Sequence, residues 1–262
     1  MKTLILLDRF YAYNRKIDEK YLSRALIQLI RERTKNYDVD FEFLGLHSEE
    51  NRPIIALSGK DEEFIYNYLI KEFGTTYDLS DLHIGQVLRG RIRDPDTVNF
   101  GLFIDCGIEN PKKDALLPVY ALREQLCQGK KITKNDICKV FGFFKEMPIY
   151  VEITEINETR KEITCKIAEK TLEQYNRWLS DGFEILFSAG IPRKQIKKAI
   201  KRTGHYEDYI TIDRIGFLET ASFFKLGCHA PGILSEIGPL LNNVKFSMLR
   251  PNNVIYILRS HK

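Results

Sequence analysis

Gly85-Gln-Val-Leu-Arg-Gly90-Arg-Ile92, followed after a short loop by Asn99-Phe-Gly-Leu-Phe-Ile-Asp105, is the stretch whose reading decides the fold. A basic strand precedes one that displays two aromatic rings, Phe100 and Phe103, around a glycine. A small β-barrel built this way offers flat surfaces to unpaired bases beside cations for phosphates. On a regular strand, residues three apart point to opposite faces. Phe100 and Phe103 therefore share a face only if a bulge near Gly101 breaks the alternation.

Further strands follow at Asp114–Pro118, Ile149–Glu155 and Glu162–Ala168, the last two flanking the turn Asn157-Glu-Thr-Arg160. With Ile84–Ile92 and Phe100–Cys106 they fit a five-stranded, partly open oligonucleotide-binding (OB) type of barrel over residues 83–168. A long insertion, 119–148, interrupts it and carries predicted helices at Tyr120–Gln125 and Lys134–Phe141. Its run Phe141-Gly-Phe-Phe144 suits either a core or a partner anchor.

On either side the pattern is mixed. Residues 1–78 read β-α-β-β-α: an apolar strand from Lys2 to Leu7, a helix capped by Asp18, strands around Val39–Phe43 and Pro53–Leu57, and a helix Asp61–Phe73 closed by Gly74. Residues 169–262 predict helices at Glu169–Leu179, Pro192–Thr203 and Pro231–Leu241. Their strands are expected at Phe183–Phe187, Tyr209–Ile215, Ser222–Leu226, Val244–Met248 and Val254–Leu258. The expected fold class is α+β multidomain, with a central barrel flanked by two small α+β domains.

At 262 residues, 44% hydrophobic and 29% charged, the chain is long and apolar enough for substantial cores, which excludes a disordered chain. No apolar run approaches the roughly 20 residues of a membrane helix, and the first apolar segment ends at Asp8 and Arg9, too soon for a signal peptide. No membrane partner is expected. Five cysteines (Cys106, Cys127, Cys138, Cys165 and Cys228) without a Cys-x-x-Cys pair read as reduced thiols, hence a cytoplasmic protein. His47, His83, His205, His229 and His261 show no metal-ligand spacing, so neither metal nor cofactor is expected.

Net charge climbs along the chain, from −3 over 1–82 to +2 over 83–168 and +5 over 169–262. The C-terminal third should attract a polyanion most strongly. Its densest feature is Arg193, Lys194, Lys197, Lys198, Lys201 and Arg202, six cations within ten residues of one predicted helix. Ile196, Ala199 and Ile200 form its narrow apolar stripe. A solvated helix face and a phosphate-contacting face both fit this pattern.

Gly85-x-Val-x-x-Gly90-Arg-Ile92, Asn99-Phe-Gly-Leu-Phe-Ile-Asp105 and Ala115-Leu-Leu-Pro118 together resemble the S1-type RNA-binding domain. The resemblance implies base stacking by Phe100 and Phe103, backbone contacts by Arg89 and Arg91, and a further cation at Lys166. The chain departs from that family at Pro118, where a histidine is common, and in the acidic loop Asp94-Pro-Asp96. Leu122–Ile132 and Lys225–Gly238 are similar to segments of an uncharacterised archaeal family known only as a domain of unknown function. The resemblance to S1 domains implies single-stranded or ribosomal RNA as partner and a setting in translation, ribosome association or RNA processing.

Chemistry-bearing constellations are sparse. Cys228 beside His229 lacks an orienting Asn or Asp, and Lys225-Leu-Gly-Cys-His-Ala-Pro-Gly232 lacks P-loop spacing, though a glycine turn entering a helix can hold an anion. No catalytic residue is expected. The second reading is an adaptor that has lost nucleic-acid binding and meets a protein through 119–148 or the flanking domains.

Overall fold

A computed structural model describes residues 1–13, 16–47, 50–241 and 243–260. Its architecture is α+β, with a closed five-stranded barrel, two further sheets and eight α-helices among the described residues.

The first sheet orders β1 (Lys2–Ile5), β2 (Asp40–His47) and β3 (Arg52–Ser58) as β1-β3-β2, all antiparallel. Helices α1 (Glu19–Arg33) and α2 (Glu62–Phe73) cover it. The predicted cap holds, since the Asp18 carboxylate accepts from the Tyr21 amide at 2.9 Å. Leu22, Leu26, Leu29 and Ile30 of α1 meet Ile55, Leu57, Ile65 and Leu69 in one core. Phe217 and Leu218, far along the chain, complete that core, with the Phe217 ring 5.6 Å from Phe10. This core is shared between the two ends of the chain.

The barrel runs β4 (Val87–Ile92), β5 (Gly101–Glu109), β6 (Lys112–Pro118), β7 (Pro148–Asn157) and β8 (Glu162–Ile167), closing in the order β4-β5-β6-β8-β7. Pairs are antiparallel except β6 with β8. Leu88, Ile92, Leu102, Ile104, Cys106, Leu117, Val151 and Ile153 fill the interior. Gly90 faces inward too, where a Cβ would stand 2.4 Å from an Ile104 methyl. Only glycine fits there. Alternation then sends Arg89, Arg91, Phe103 and Asp105 to the outside.

The insertion is not a protruding arm. Helices α3 (Val119–Cys127) and α4 (Lys134–Phe141) lead into Phe141, Phe143 and Phe144, all buried beside Tyr175 and Phe187. The aromatic run is core, joining the barrel to the last sheet.

That sheet follows helix α5 (Glu169–Asp181) and orders β9 (Ile185–Ala189), β10 (Tyr209–Arg214), β11 (Glu219–Phe224) and β12 (Lys245–Leu249) as β10-β11-β9-β12. Both central strands are buried throughout. One face meets the barrel-side core through Phe187 and Phe223, and the other meets α6 (Arg193–Arg202) and α7 (Ala230–Ile237).

The expected closing strand Val254–Leu258 is instead part of a helix, α8 (Pro251–Ser260). Its β-branched residues argue for a strand, but Pro251 is preorganised for a first helical turn, and the Val254 amide donates to the Arg250 carbonyl. Val254 alone of that run is deeply buried, while Ile255 and Tyr256 face solvent.

Candidate nucleic-acid interface

Phe100 and Phe103 come together at the barrel surface. Their ring centroids lie 6.2 Å apart and nearly perpendicular. Phe100 is 56% exposed, and Phe103 is half-buried. The geometry resolves the alternation question without a bulge at that point. The ladder begins at Gly101, paired with Pro118, so Phe100 precedes the strand and is freed from its period of two. Its carbonyl still accepts from the Val119 amide at 2.8 Å, which holds the backbone while the ring projects.

Lys166 also faces outward, opposite Glu152 on the neighbouring strand, with 3.1 Å between Nζ and Oε1. Such a part-exposed pair contributes little to stability.

Arg91 does not lie at an RNA face. Its side chain is fully buried, donating to Asp8 Oδ1 at 2.6 Å, to Glu146 Oε2 at 3.1 Å and to Glu219 Oε1. Arg89 is nearly as enclosed, donating to Asp8 and to the Glu72 and Ile215 carbonyls. Both point out of the barrel as their strand dictates, but the 8–11 segment and Glu219 cover that outer face. The two cations are spent inside the protein.

They belong to a wider ionic network. Arg9 meets Glu146 at 2.6 Å, Arg52 meets Asp105 at 2.8 Å, and Arg93 meets Asp114 at 3.0 Å. Burial works against the Glu50 charge, yet hydrogen bonds from Lys112 and Arg93 bring its pKa down to about 2. Desolvation likewise opposes the Asp105 carboxylate, and Arg52, Arg93 and Arg9 outweigh it. Burial pushes the Glu219 carboxyl up despite Arg91 beside it. The Glu219 carboxylate also occupies the space a side chain at residue 216 would need, which leaves glycine there. The spacing Arg89, Arg91, Arg93 was a legible signal: three cations on one strand face demand nearby anions.

Helix α6 behaves as its stripe predicts. Ile196, Ala199 and Ile200 are buried, and Lys194, Lys197, Lys198, Lys201 and Arg202 are exposed. Among the described residues none of these five forms an ion pair with a carboxylate, and Lys201 lies over the Tyr206 ring at 5.8 Å. Arg193, at the helix start, is partly buried, with an Nε that has no partner.

The other chemical candidates are structural. The His229 ring caps α7, its Nδ1 accepting from the Gly232 amide at 3.2 Å, which leaves no nucleophile–base pair with Cys228. The amide of Ala230 at that helix start is taken by Glu184 Oε2 at 2.9 Å, so an internal carboxylate fills the anion position. The Asp94 side chain accepts from the Asp96 amide in a tight loop turn. Among the described residues no group of three or more His, Cys, Asp or Glu side chains is placed to hold a metal, and His261 lies outside those residues. No described helix is long and apolar enough to cross a membrane.

The class defined by this geometry is an α+β protein built around a closed barrel with surface aromatic rings. More particularly, the chain belongs to the DUF2110 family: residues 82–179 match its central domain and residues 183–249 its C-terminal domain. No curated protein matches the sequence. Among solved structures, an uncharacterized protein from Methanocaldococcus jannaschii is 16% identical, covering 34% of this chain and 96% of its own, at a TM-score of 0.23. A vaccinia virus protein (Wisconsin strain) is 16% identical over 33% of this chain and 89% of its own, also at 0.23. The intact alpha subunit of aIF2 from Pyrococcus abyssi is 10% identical over 64% of this chain and 97% of its own, at 0.26. Overlaps this slight carry no weight for function.

Proposed function

We propose that the protein is a non-enzymatic, cytoplasmic RNA-binding protein whose barrel is of the OB, S1-like kind. The observation that carries this reading is the Phe100–Phe103 pair, two adjacent rings held at the surface of a barrel strand. An exposed phenylalanine against water is a poor use of apolar area, and a stacked base removes it from solvent. Lys166 stands on the outer surface of the barrel, and the cations of α6, which pair with no carboxylate among the described residues, supply phosphate contacts elsewhere on the molecule. Single-stranded or ribosomal RNA is the ligand this combination suits, in translation or RNA processing.

The burial of Arg89 and Arg91 favours a second reading, a protein-binding adaptor, because it removes two expected phosphate contacts from the barrel. Titration with single-stranded RNA at two salt concentrations separates them. RNA binding predicts salt-sensitive association that weakens in Phe100→Ala. Salt-insensitive or absent binding sinks the RNA reading, and shortening of the strands with time sinks the non-enzymatic one.

A further inference from the structure

A cleft of about 360 Å³ opens where the barrel meets α5 and the end of β10. Arg214, Arg177, Lys170 and Arg89 line it, along with the carboxylates of Glu72 and Glu173. Glu72 is taken up by Arg33, and Arg89 is held by Asp8, so neither adds much free charge. Arg214 is different. It is half-buried, yet among the described residues it makes no hydrogen bond and no ion pair, and Arg177 makes none either. Arg33 lines the adjoining recess together with Arg214 and Arg89. Burial, and then the guanidiniums of Arg193 and Arg33, depress the Arg214 pKa, opposed in part by the Glu32 carboxylate. Arg89, on the cleft wall, has a buried Nε without a hydrogen-bond partner among the described residues.

A folded chain ordinarily gives a half-buried cation a counter-charge, because desolvation without one is costly. Arg214 has no ion pair among the described residues, although the Glu32 carboxylate acts on it at longer range, and it lines a cleft of ligand size. We propose that this cleft binds a phosphate or diphosphate group, seated on Arg214 and Arg177. Guanidinium forks suit phosphate oxygens, and such a group would give Arg214 the direct partner it lacks among the described residues. The site stands apart from the RNA reading of the barrel, since Phe100 and Phe103 do not line it.

The test titrates inorganic pyrophosphate into the full chain at fixed ionic strength, followed by calorimetry. Saturable one-site binding is expected, weakened about tenfold or more in Arg214→Gln. Lys20→Gln, on the exposed start of α1, should bind as the unaltered chain does. Without ligand, Arg214→Gln should unfold at no lower temperature, because that side chain has no hydrogen bond to lose. Binding that fails to saturate, or that is unchanged in Arg214→Gln, overturns the proposal, as does early unfolding of the unliganded variant. Competition by ADP and by a 5′-phosphorylated RNA then identifies the source: displacement by ADP alone indicates a free nucleotide, and displacement by RNA indicates a polynucleotide. A Phe100→Ala chain should bind pyrophosphate normally, so failure of either reading leaves the other standing.

Discussion

Arg91 of the barrel donates to Asp8 of the N-terminal segment at 2.6 Å, and both side chains are almost wholly shielded from water. Glu146 of the insertion and Glu219 of the last sheet share the same guanidinium, so one arginine ties four parts of the chain together. Removing it takes a cation from three buried carboxylates: Asp8 keeps Arg89 and Glu146 keeps Arg9, but Glu219 is left with none among the described residues. Arg91→Met should cost about 3–5 kcal/mol of stability, and Arg91→Lys should recover only part, because an ammonium cannot make the forked contacts. Urea unfolding measures both. A loss under about 1 kcal/mol would show that water reaches the network.

Gly90 lies on the interior side of the same strand, against Ile104 and Cys106. Gly90→Ala should destabilise by about 1–3 kcal/mol through overpacking, with RNA affinity unchanged in whatever fraction stays folded. Thermal unfolding beside a binding titration checks the pair of outcomes.

Phe100 is exposed and Phe103 half-buried, so their truncations should differ. Phe100→Ala should weaken single-stranded RNA binding by about 1–3 kcal/mol while barely moving the melting temperature. Phe103→Ala should lower both. Filter binding and calorimetry on the two variants distinguish a stacking surface from simple packing, which would leave RNA affinity untouched.

Charge reversal at Lys197, Lys198 and Lys201 should flatten the salt dependence of RNA binding. Three lost phosphate contacts reduce the log–log slope by about 2. A slope that stays put removes α6 from the interface.

His205 sits after α6 with Asp208 Oδ2 2.6 Å from Nδ1 and Glu236 Oε2 3.1 Å from Nε2. The hydrogen bond to Asp208, opposed by some desolvation and aided by Glu236, raises its pKa. A raised folded pKa means stabilisation that is fully present below the unfolded value of about 6.5 and disappears as pH climbs through the folded one. His205→Gln should therefore melt earlier than the unaltered chain in mildly acidic buffer, and the gap should close in alkaline buffer. A gap that widens with pH contradicts the assignment.

Local rules made most elements legible. Leu22, Leu26, Leu29 and Ile30 announce α1 by spacing, Asp18 its cap, and Pro192 and Gly204 bracket α6, because a helix or strand of that kind is specified by its own residues and near neighbours. The barrel strands were readable from alternation and glycine placement. Tertiary packing decided what those elements face. Alternation puts Arg89 and Arg91 outside the barrel, but only the docking of Asp8 and Glu219 turns that outside into an interior. Val254–Leu258 has a strand's composition, and its burial of Val254 beneath a proline-started turn makes it helix. Phe100 escapes its strand's period because the partner Pro118 ends the ladder at Gly101. The convergence of Arg33, Arg89 and Arg214 on one recess could not be seen along the chain at all, since charges that far apart in sequence meet only when three separate elements pack.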